Sequence, residues 1–375
     1  MLLKKRPYRN LNTLHVFKAA LKHNLHTYQK VCPDQAVCPV LKSNAYGHGL
    51  TLVAEALDDE DVPFFIVDSL YEAYELKKAR IKTPILIIGC THPDNTHASA
   101  LKKFRRLPFH FSVFNKEGAE VYAKLGVPVH LKIETGFSRM GFSVEELREC
   151  LPTFKKAKLN IEGIYTHFSD ADNPQNHKTE EQMARFQAAV ELLREAGIKP
   201  KWIHCGNSAG APKINNSGTN MMRLGISLYG IPVLEPTDPF YIEGLKPALE
   251  LESTLVSIKT LKRGETVSYN GTYTAEKDLT IGVVPVGYYE ALPRSLSNKG
   301  FLEVNGVQCP ILGRVCMNMC MIDVSHAKAQ LYDRVVVYSR HANQKNSVLN
   351  QSATAGTIPY ELLVHISESV ARRLE

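Results

Sequence analysis

A lysine ends an apolar run in the segment 39–50, PVLKSNAYGHGL. The run 36–41, AVCPVL, predicts a buried strand, and Lys42 follows it directly, with Tyr46 four residues further on. A lysine in this place could be an ordinary strand end that meets water. The same amine could also serve as a nucleophile if suitable polar groups gather around it.

Other polar residues follow further apolar runs in the first two-thirds of the chain. Together with the first lysine they form one set of candidate site residues: Lys42, Lys132, Arg139, His167, His204, Asn207, Ser208 and Arg223. Each of them alone could be a polar strand end with its hydrogen bonds satisfied. As a set they predict a cationic site, which would suit an anionic and phosphorylated cofactor.

Two glycine-containing segments are candidates for holding the phosphate. The segment 204–210, HCGNSAG, offers a hydroxyl among small residues, and the segment 223–230, RLGISLYG, offers backbone N–H groups beside Gly225. An amine beside such a phosphate cradle predicts a Schiff base to pyridoxal phosphate (PLP).

Short apolar runs alternate with amphipathic stretches around these residues. The apolar runs are candidate strands, at 36–41, 64–67, 85–89, 109–113, 127–133, 161–168, 201–205 and 224–230. Such alternation predicts an α/β fold, a (β/α)8 TIM-type barrel, whose active site lies at the carboxyl ends of the strands. A doubly wound sheet is the competing prediction, but no G-x-G-x-x-G follows the first run.

The amphipathic stretches carry helix boundary signals. Ser69 with Glu72, and Ser143 with Glu146, have the spacing of capping boxes, and Gly197 is placed to end a third helix.

The pattern changes after the segment VLEPTDPF, and strand-like runs dominate from about residue 249 onward. Turn pairs such as Asn305-Gly306 separate these runs. We therefore expect a barrel domain over 11–244, followed by a mainly β C-terminal domain over 245–375.

Composition excludes several other classes of protein. The chain of 375 residues is 44% hydrophobic and 22% charged, which is typical of a soluble globular protein. Its net charge of +7 is spread out, and the densest basic segment, 102–106, is short, so we expect no nucleic-acid partner. No apolar run is long enough for a membrane span and no signal peptide is visible, so we expect no membrane association and a cytoplasmic location.

The eight cysteines are scattered along the chain, as is usual for reduced thiols. Cys316 and Cys320 have no second pair at a spacing that would complete a zinc site, so we expect no metal.

Several segments carry a resemblance to a known family: VLKSNAYGHG, HLKIETGFSRMG, YTHFSDAD, HCGNSAG, MMRLGISLYG, VSYNGTY, GRVCMNMCMIDV and TIPYELL. Through them the chain resembles the alanine racemase family from about residue 37 to 363, in the family's order. The resemblance implies a homodimeric, PLP-dependent amino-acid racemase. Proteins that consist of a PLP-binding barrel alone share the lysine motif but lack the second domain.

The resemblance also implies two catalytic bases. Lys42 matches the lysine that carries the cofactor and acts as one base, and Tyr269 matches the opposite base, supplied by the partner subunit. Inversion of an amino acid needs a base on each face. A tyrosine acts as a base only with help from neighbouring charge and hydrogen bonds, and His167, His204 and Arg223 are the candidates.

The remaining roles are assigned by the same resemblance. The phosphate ligands, with Asn207 alongside, are Tyr46, Ser208, Gly225, Ile226 and Tyr360. Arg223 matches the arginine facing the pyridine nitrogen, and His167 is included among the cofactor-binding residues. The residues near the substrate carboxylate are Arg139 and, from the partner, Met317, while Lys132 matches a lysine that is often carbamylated. The polar entryway consists of Asp172, Arg294 and Arg314.

We therefore expect interconversion of L-alanine and D-alanine, supplying D-alanine for peptidoglycan. The segment Tyr289-Glu290-Ala291 departs from the family's usual Ala-Asp-Gly, and Ser43 replaces an alanine. These departures keep a serine or broad-specificity racemase as the alternative. A related decarboxylase and a non-catalytic PLP-binding protein are more distant alternatives, because the catalytic cysteine motif is lacking and Tyr269 is present.

Overall fold

A computed structural model describes residues 10–91, 106–173, 175, 177–214 and 217–375. They form two compact units. The barrel unit comprises Leu21–Ala45 and Val53–Leu245, and the β unit comprises the described residues up to Ala20 together with Tyr46–Leu52 and Lys246–Glu375. The N-terminal segment 1–9 and all but the last residue of the basic segment 102–106 lie outside the described residues.

Parallel strands form a single closed sheet in the barrel unit. In chain order they are Ala36–Pro39, Phe65–Val67, Ile85–Ile87, Phe109–Val113, Val129–Lys132, Ile161–Tyr165, Trp202–His204 and Met221–Leu224. The first strand pairs with the last, and a bridge between Val40 and Ile66 joins the first strand to the second. The predicted (β/α)8 TIM-type barrel is therefore confirmed.

One helix precedes the first of these strands, and further helices lie between them. Their bounds are Lys18–Val31, Leu50–Leu57, Leu70–Lys78, Lys116–Leu125, Val144–Lys156 and Lys178–Glu195. Both predicted capping boxes are present, at Ser69 and at Ser143. Gly197, with φ of 75°, follows the end of the last helix as predicted. Over the described ranges, no helix combines the length and apolar composition needed to cross a bilayer.

The last barrel strand ends earlier than the sequence predicts. The run 224–230 is not a strand, because the strand is Met221–Leu224 and Ile226–Tyr229 form a 3-10 helix. Gly225 separates the two elements. The prediction is wrong because a fully buried apolar run has the same composition in a strand and in a short helix.

A mixed nine-stranded sheet forms most of the β unit, which confirms the predicted mainly β C-terminal domain. Its strands, in spatial order, are Ser257–Leu261, Leu279–Val284, Cys320–Asp323, Val307–Leu312, Phe301–Val304, Arg334–Tyr338, Leu249–Thr254, Thr13–Val16 and Ala371–Leu374.

Three smaller features complete the β unit. The strands Thr266–Val267 and Tyr273–Thr274 form a separate pair, and the helices are Val348–Ala355 and Pro359–Val364. The predicted Asn305-Gly306 turn joins two neighbouring strands, with φ of 51° and 79°. The N-terminal strand Thr13–Val16 was not expected from its sequence.

Candidate active site

Lys42 begins a left-handed turn at the carboxyl end of the first barrel strand. Ser43, Asn44 and Ala45 have φ of 56°, 55° and 53°, and the N–H of Ala45 donates to the carbonyl of Leu41 at 2.8 Å. Left-handed backbone costs about 1–2 kcal/mol for each residue that has a side chain. The surroundings must therefore hold this turn in place, and with it the start of the Lys42 side chain.

Ser208 and Gly225, two of the residues predicted to hold a phosphate, lie together at neighbouring strand ends. The N–H of Gly225 donates to Oγ of Ser208 at 3.1 Å, and Ser208 and Ile226 are buried. Oδ1 of Asn207 accepts the N–H of Gly210 at 2.8 Å, which shapes the backbone around Ser208. The Ser208 hydroxyl keeps its own O–H donor, a group that phosphate oxygens accept.

Arg223 is a buried guanidinium surrounded by neutral acceptors. It donates to Nδ1 of His204 at 3.0 Å and of His167 at 3.1 Å, and to the carbonyls of Thr166 at 2.9 Å and Cys205 at 3.2 Å. None of its hydrogen-bond partners within the described part of the chain is a carboxylate. Burial lowers the pKa of Arg223. Because these partners are neutral, they do not cancel the guanidinium charge, which stays available to an electron-rich ligand.

A row of histidines continues from Arg223 through the barrel. Nε2 of His204 lies 2.9 Å from Nδ1 of His130, and Nε2 of His130 lies 3.2 Å from Nδ1 of His110. A guanidinium only donates, so Nδ1 of His204 accepts, and His204 and His130 each donate through Nε2 to Nδ1 of the next histidine. Burial lowers the pKa of His110 to about 4, and the pKa values of His130 and His204 fall well below the ordinary value for the same reason.

The histidine row turns its acceptor nitrogens toward the buried arginine. Aligned hydrogen bonds polarise one another, so neutral imidazoles can stabilise a buried charge in place of a carboxylate. Gly163 makes room for the row, because a Cβ at this position would lie 2.3 Å from Nδ1 of His130.

Lys132 ends its strand inside the barrel and is only 5% exposed. Burial, then the charges of Arg223 and Arg139, lower the pKa of Lys132 to about 7. Its Nζ lies 5.0 Å from the ring centroid of Tyr165. A lysine in these surroundings is largely neutral slightly above pH 7, and a neutral amine is the form that reacts with carbon dioxide.

Arg139 lies in the loop after Lys132, and Glu134 organises that loop. The Glu134 carboxylate accepts the backbone N–H groups of Gly136, Phe137 and Arg139. The Arg139 guanidinium is exposed and stacks on the Phe137 ring, 4.1 Å from its centroid.

His167 connects the arginines with the first lysine. Its ring lies 5.6 Å from the Phe137 ring, centroid to centroid. Burial lowers the pKa of His167 well below its ordinary value, and Arg223, Lys132, Arg139 and Lys42 lower it further by their charges. The imidazole is therefore neutral, and the Lys42 amine lies within electrostatic reach of it.

The β unit holds two of the predicted phosphate ligands, Tyr46 and Tyr360. Their ring centroids are 6.0 Å apart. Burial, and to a smaller extent Tyr360, raises the pKa of Tyr46. Tyr46 therefore keeps its phenolic proton and can act as a hydrogen-bond donor.

Tyr269 is presented on the surface of the β unit. It is 69% exposed and stands between Ser268, with φ of 66°, and Asn270, with φ of 63°. Oγ of Ser268 donates to the carbonyl of Arg314 at 2.7 Å, which anchors this segment. Met317 is 55% exposed. Both side chains are thus accessible on the chain described.

The predicted entryway residues are mostly at the surface, while Glu290 is not. Asp172 and Arg294 are exposed, and Arg314 is half-buried. Glu290 is buried and accepts the N–H of Gly287 at 2.9 Å and the Nδ2 donor of Asn318 at 2.8 Å. The altered segment therefore keeps a carboxylate at its middle position, where the family has aspartate, and this carboxylate is already hydrogen-bonded within the β unit.

The donors of the barrel unit suit PLP. The strand-end amine suits an aldehyde, and the hydroxyl beside a glycine N–H suits a phosphate. The buried guanidinium, whose partners among the described residues are all neutral, suits a ring nitrogen. By contrast, nowhere in the described ranges do three or more histidine, cysteine, aspartate or glutamate side chains cluster as metal ligands would.

Three contributing residues were missed by sequence reasoning. Tyr165 stacks on His204 at 4.9 Å between ring centroids, His130 extends the histidine row, and Glu134 shapes the Arg139 loop. His130 and Glu134 lie within the segment HLKIETGFSRMG that carries the family resemblance, two residues on either side of Lys132. That proximity was the available signal.

Two family profiles cover most of the chain. The profile described as alanine racemase, N-terminal domain, matches residues 16–232, and the profile described as alanine racemase, C-terminal domain, matches residues 248–374.

Individual relatives agree with the profiles. Alanine racemase of Desulforamulus reducens is 34% identical over 358 residues, which cover 94% of this chain and 96% of that protein. The crystal structure of alanine racemase from Bacillus anthracis with bound L-Ala-P is 30% identical, with a TM-score of 0.87 and coverage of 98% of this chain and 96% of that one. Alanine racemase from E. faecalis is also 30% identical, with a TM-score of 0.86 and coverage of 98% and 99%.

Proposed function

The chain belongs to the alanine racemase family, which consists of PLP-dependent amino-acid isomerases, and from this premise we propose that it interconverts L-alanine and D-alanine. The observation that carries the proposal is the position of Lys42. Its amine begins a constrained turn at a barrel strand end and lies within electrostatic reach of His167, which Arg223 contacts.

The cofactor-binding residues in this proposal are those that the family resemblance implies. They are Lys42, Tyr46, His167, Asn207, Ser208, Arg223, Gly225, Ile226 and Tyr360. When bound, PLP supplies an electron sink for the charge left by removal of the α-proton. The guanidinium of Arg223 would face the ring nitrogen and keep it unprotonated, which would weaken that sink and discourage transamination.

The chain's own residues then move the proton. Lys42 accepts or returns it on one face of the substrate, and Tyr269 does the same on the other. Arg139 binds the substrate carboxylate together with Met317, and a carbamylated Lys132 orients Arg139 by its negative charge. Support for the last role comes from the pKa of Lys132, which is lowered to about 7 mainly by burial.

We further propose that each site is shared in a homodimer. The barrel domain, 11–244, would bind PLP, and the domain 245–375 would contribute Tyr269 and Met317 to the partner's site. The exposure of both side chains supports this arrangement. The product, D-alanine, would serve peptidoglycan synthesis in the cytoplasm, where the chain's eight free thiols would stay reduced.

Specificity for alanine is part of the proposal, since Tyr269, Tyr360 and Met317 would leave room for little more than a methyl group. A serine or broad-specificity racemase is the second candidate, favoured by the altered segment Tyr289-Glu290-Ala291. A screen of common L-amino acids with added PLP distinguishes the two. A higher kcat/KM for lysine or arginine than for alanine would contradict the pocket argument.

The decisive experiment combines a chiral assay with mapping of the cofactor. Incubation with L-alanine and PLP should yield D-alanine, and borohydride reduction followed by peptide mapping should place the pyridoxyl group on Lys42. The matched control is Lys132, the other lysine at a barrel strand end. Absence of D-alanine, or labelling of Lys132 in place of Lys42, would overturn the proposal.

A further inference from the structure

The carboxylate of Glu72 serves two elements at once. Its Oε2 accepts the N–H groups of Asp68 at 2.9 Å and Ser69 at 3.1 Å, which completes the capping box of the helix Leu70–Lys78. Its Oε1 accepts the N–H of Ser43 at 2.6 Å. Ser43 is the first left-handed residue after Lys42.

A second capping box in the same unit shows what the cap alone requires. Glu146 accepts the N–H of Ser143 at 2.8 Å, and its side chain is exposed. Glu72, in contrast, is only 9% exposed. A buried carboxylate needs its hydrogen bonds, and here one of them comes from the turn that carries the lysine.

We propose that Glu72 is a positioning residue for Lys42. It holds the left-handed turn through the Ser43 N–H and ties that turn to the start of the helix Leu70–Lys78. The proposal rests on the proposed function only in that Lys42 is taken as the reactive amine. The link from the helix to the turn stands on the hydrogen bonds alone.

Glutamine cannot replace Glu72 in both tasks. An amide has its acceptor on one atom and donors on the other, whereas a carboxylate accepts on both. In the variant Glu72→Gln, a donor would therefore face either the Ser43 N–H or the N–H groups of the cap. One of the two contacts is lost whichever way the amide points.

Hydrogen exchange on the full-length protein with its cofactor tests the link. In the Glu72→Gln variant the amides of residues 43–45 should exchange about tenfold faster, as expected when a charge-assisted hydrogen bond is lost. The affinity for PLP, measured by titration of the stripped protein, should fall by a similar factor. In Ser69→Ala, which loses the cap hydroxyl but keeps Glu72, and in Glu146→Gln, both readouts should stay within about twofold of wild type.

The outcomes separate this inference from the proposed function. If residues 43–45 exchange equally in Glu72→Gln and Ser69→Ala, Glu72 only caps its helix and the inference is wrong. If the Glu72→Gln variant does not fold, hydrogen exchange of the wild-type protein provides the test. A Ser43 amide that exchanges without protection in wild type would also overturn the inference. A wild-type protein that shows the exchange pattern but makes no D-alanine would contradict the function and leave the positioning role intact.

Discussion

Nη1 of Arg223 lies 3.0 Å from Nδ1 of His204, deep in the barrel and without a carboxylate among the described partners of the guanidinium. Because arginine only donates, this one contact fixes the direction of the hydrogen bonds that run through His204 and His130 to His110. The buried cation is stabilised by neutral acceptors, so its charge is not cancelled on the side that would face a cofactor ring.

The two ends of the histidine row should respond differently to substitution. His204→Phe keeps the ring that stacks on Tyr165 but removes the acceptor for Arg223, so we expect a loss of about 1–3 kcal/mol in the free energy of unfolding and a clear fall in kcat/KM. His110→Phe is the control, because water can replace the acceptor of a half-buried residue. Urea denaturation and racemase assays measure both effects, and equal losses in the two variants would contradict the assigned direction of the row.

Lys132 should make stability depend on pH. Its pKa is about 7 in the folded protein, lowered first by burial, and the ordinary lysine value is 10.5. Between these values the unfolded chain binds a proton that the folded protein lacks, so the free energy of unfolding rises with pH across this window. Lys132→Met removes this dependence. In carbonate-free buffer we expect the variant to be more stable than wild type near pH 7, by a few kcal/mol at most, and the difference to vanish toward pH 10.5.

Bicarbonate provides the complementary test of Lys132. Carbamylation replaces an amine beside Arg139 and Arg223 with an anion, so bicarbonate should stabilise wild type and raise its activity. Lys132→Met should show neither response. Intact-protein mass spectrometry would report the carbamate, and a wild type insensitive to bicarbonate in mass, stability and activity would exclude the modification.

The sequence predicts those features that are local. The barrel strands follow from apolar runs, and the capping boxes at Ser69 and Ser143 follow from a spacing of three residues, because both are fixed by near neighbours. The contact between His130 and His204 joins residues 74 positions apart, so no local pattern indicates it. The N-terminal strand Thr13–Val16 is likewise defined by pairing with Leu249–Thr254.

The left-handed turn after Lys42 is another feature that composition does not indicate. Its residues are Ser43, Asn44, Ala45 and Tyr46, and only asparagine among them adopts positive φ readily. Tertiary contacts such as the one from Glu72 override this preference. The position of Lys42 was predictable from its strand, whereas the left-handed turn and the hydrogen bond from Ser43 to Glu72 were not.

Ala291 should tolerate glycine better than an ordinary alanine does. Its φ is 155°, its carbonyl accepts the Tyr338 hydroxyl at 2.7 Å, and the family that this chain resembles usually has glycine here. Ala291→Gly relieves backbone strain that exceeds the entropy cost of glycine, so we expect a gain of about 1 kcal/mol in the free energy of unfolding. Ala353→Gly, on the exposed face of the helix Val348–Ala355, should cost about 1 kcal/mol. Equal losses in urea denaturation would show that Ala291 is unstrained.

Mixing two inactive proteins tests whether a site is built from two chains. Lys42→Ala removes the proposed cofactor-binding amine and Tyr269→Phe removes the proposed opposite base, so either variant alone should lose nearly all racemase activity. In a hybrid dimer one site receives both defects. The other receives the intact lysine of one chain and the intact tyrosine of its partner, so racemisation of L-alanine should return, up to one working site per hybrid dimer.

The control for this experiment is a demonstration that subunits exchange, by native mass spectrometry of differently tagged variants. Tyr269 is suited to act across an interface because it is 69% exposed on a turn bounded by two left-handed residues, Ser268 and Asn270. If hybrid dimers form and no D-alanine appears, Tyr269 acts within its own chain or not at all. Restored activity would instead require the lysine and the tyrosine of one site to come from different subunits, because neither parent supplies both.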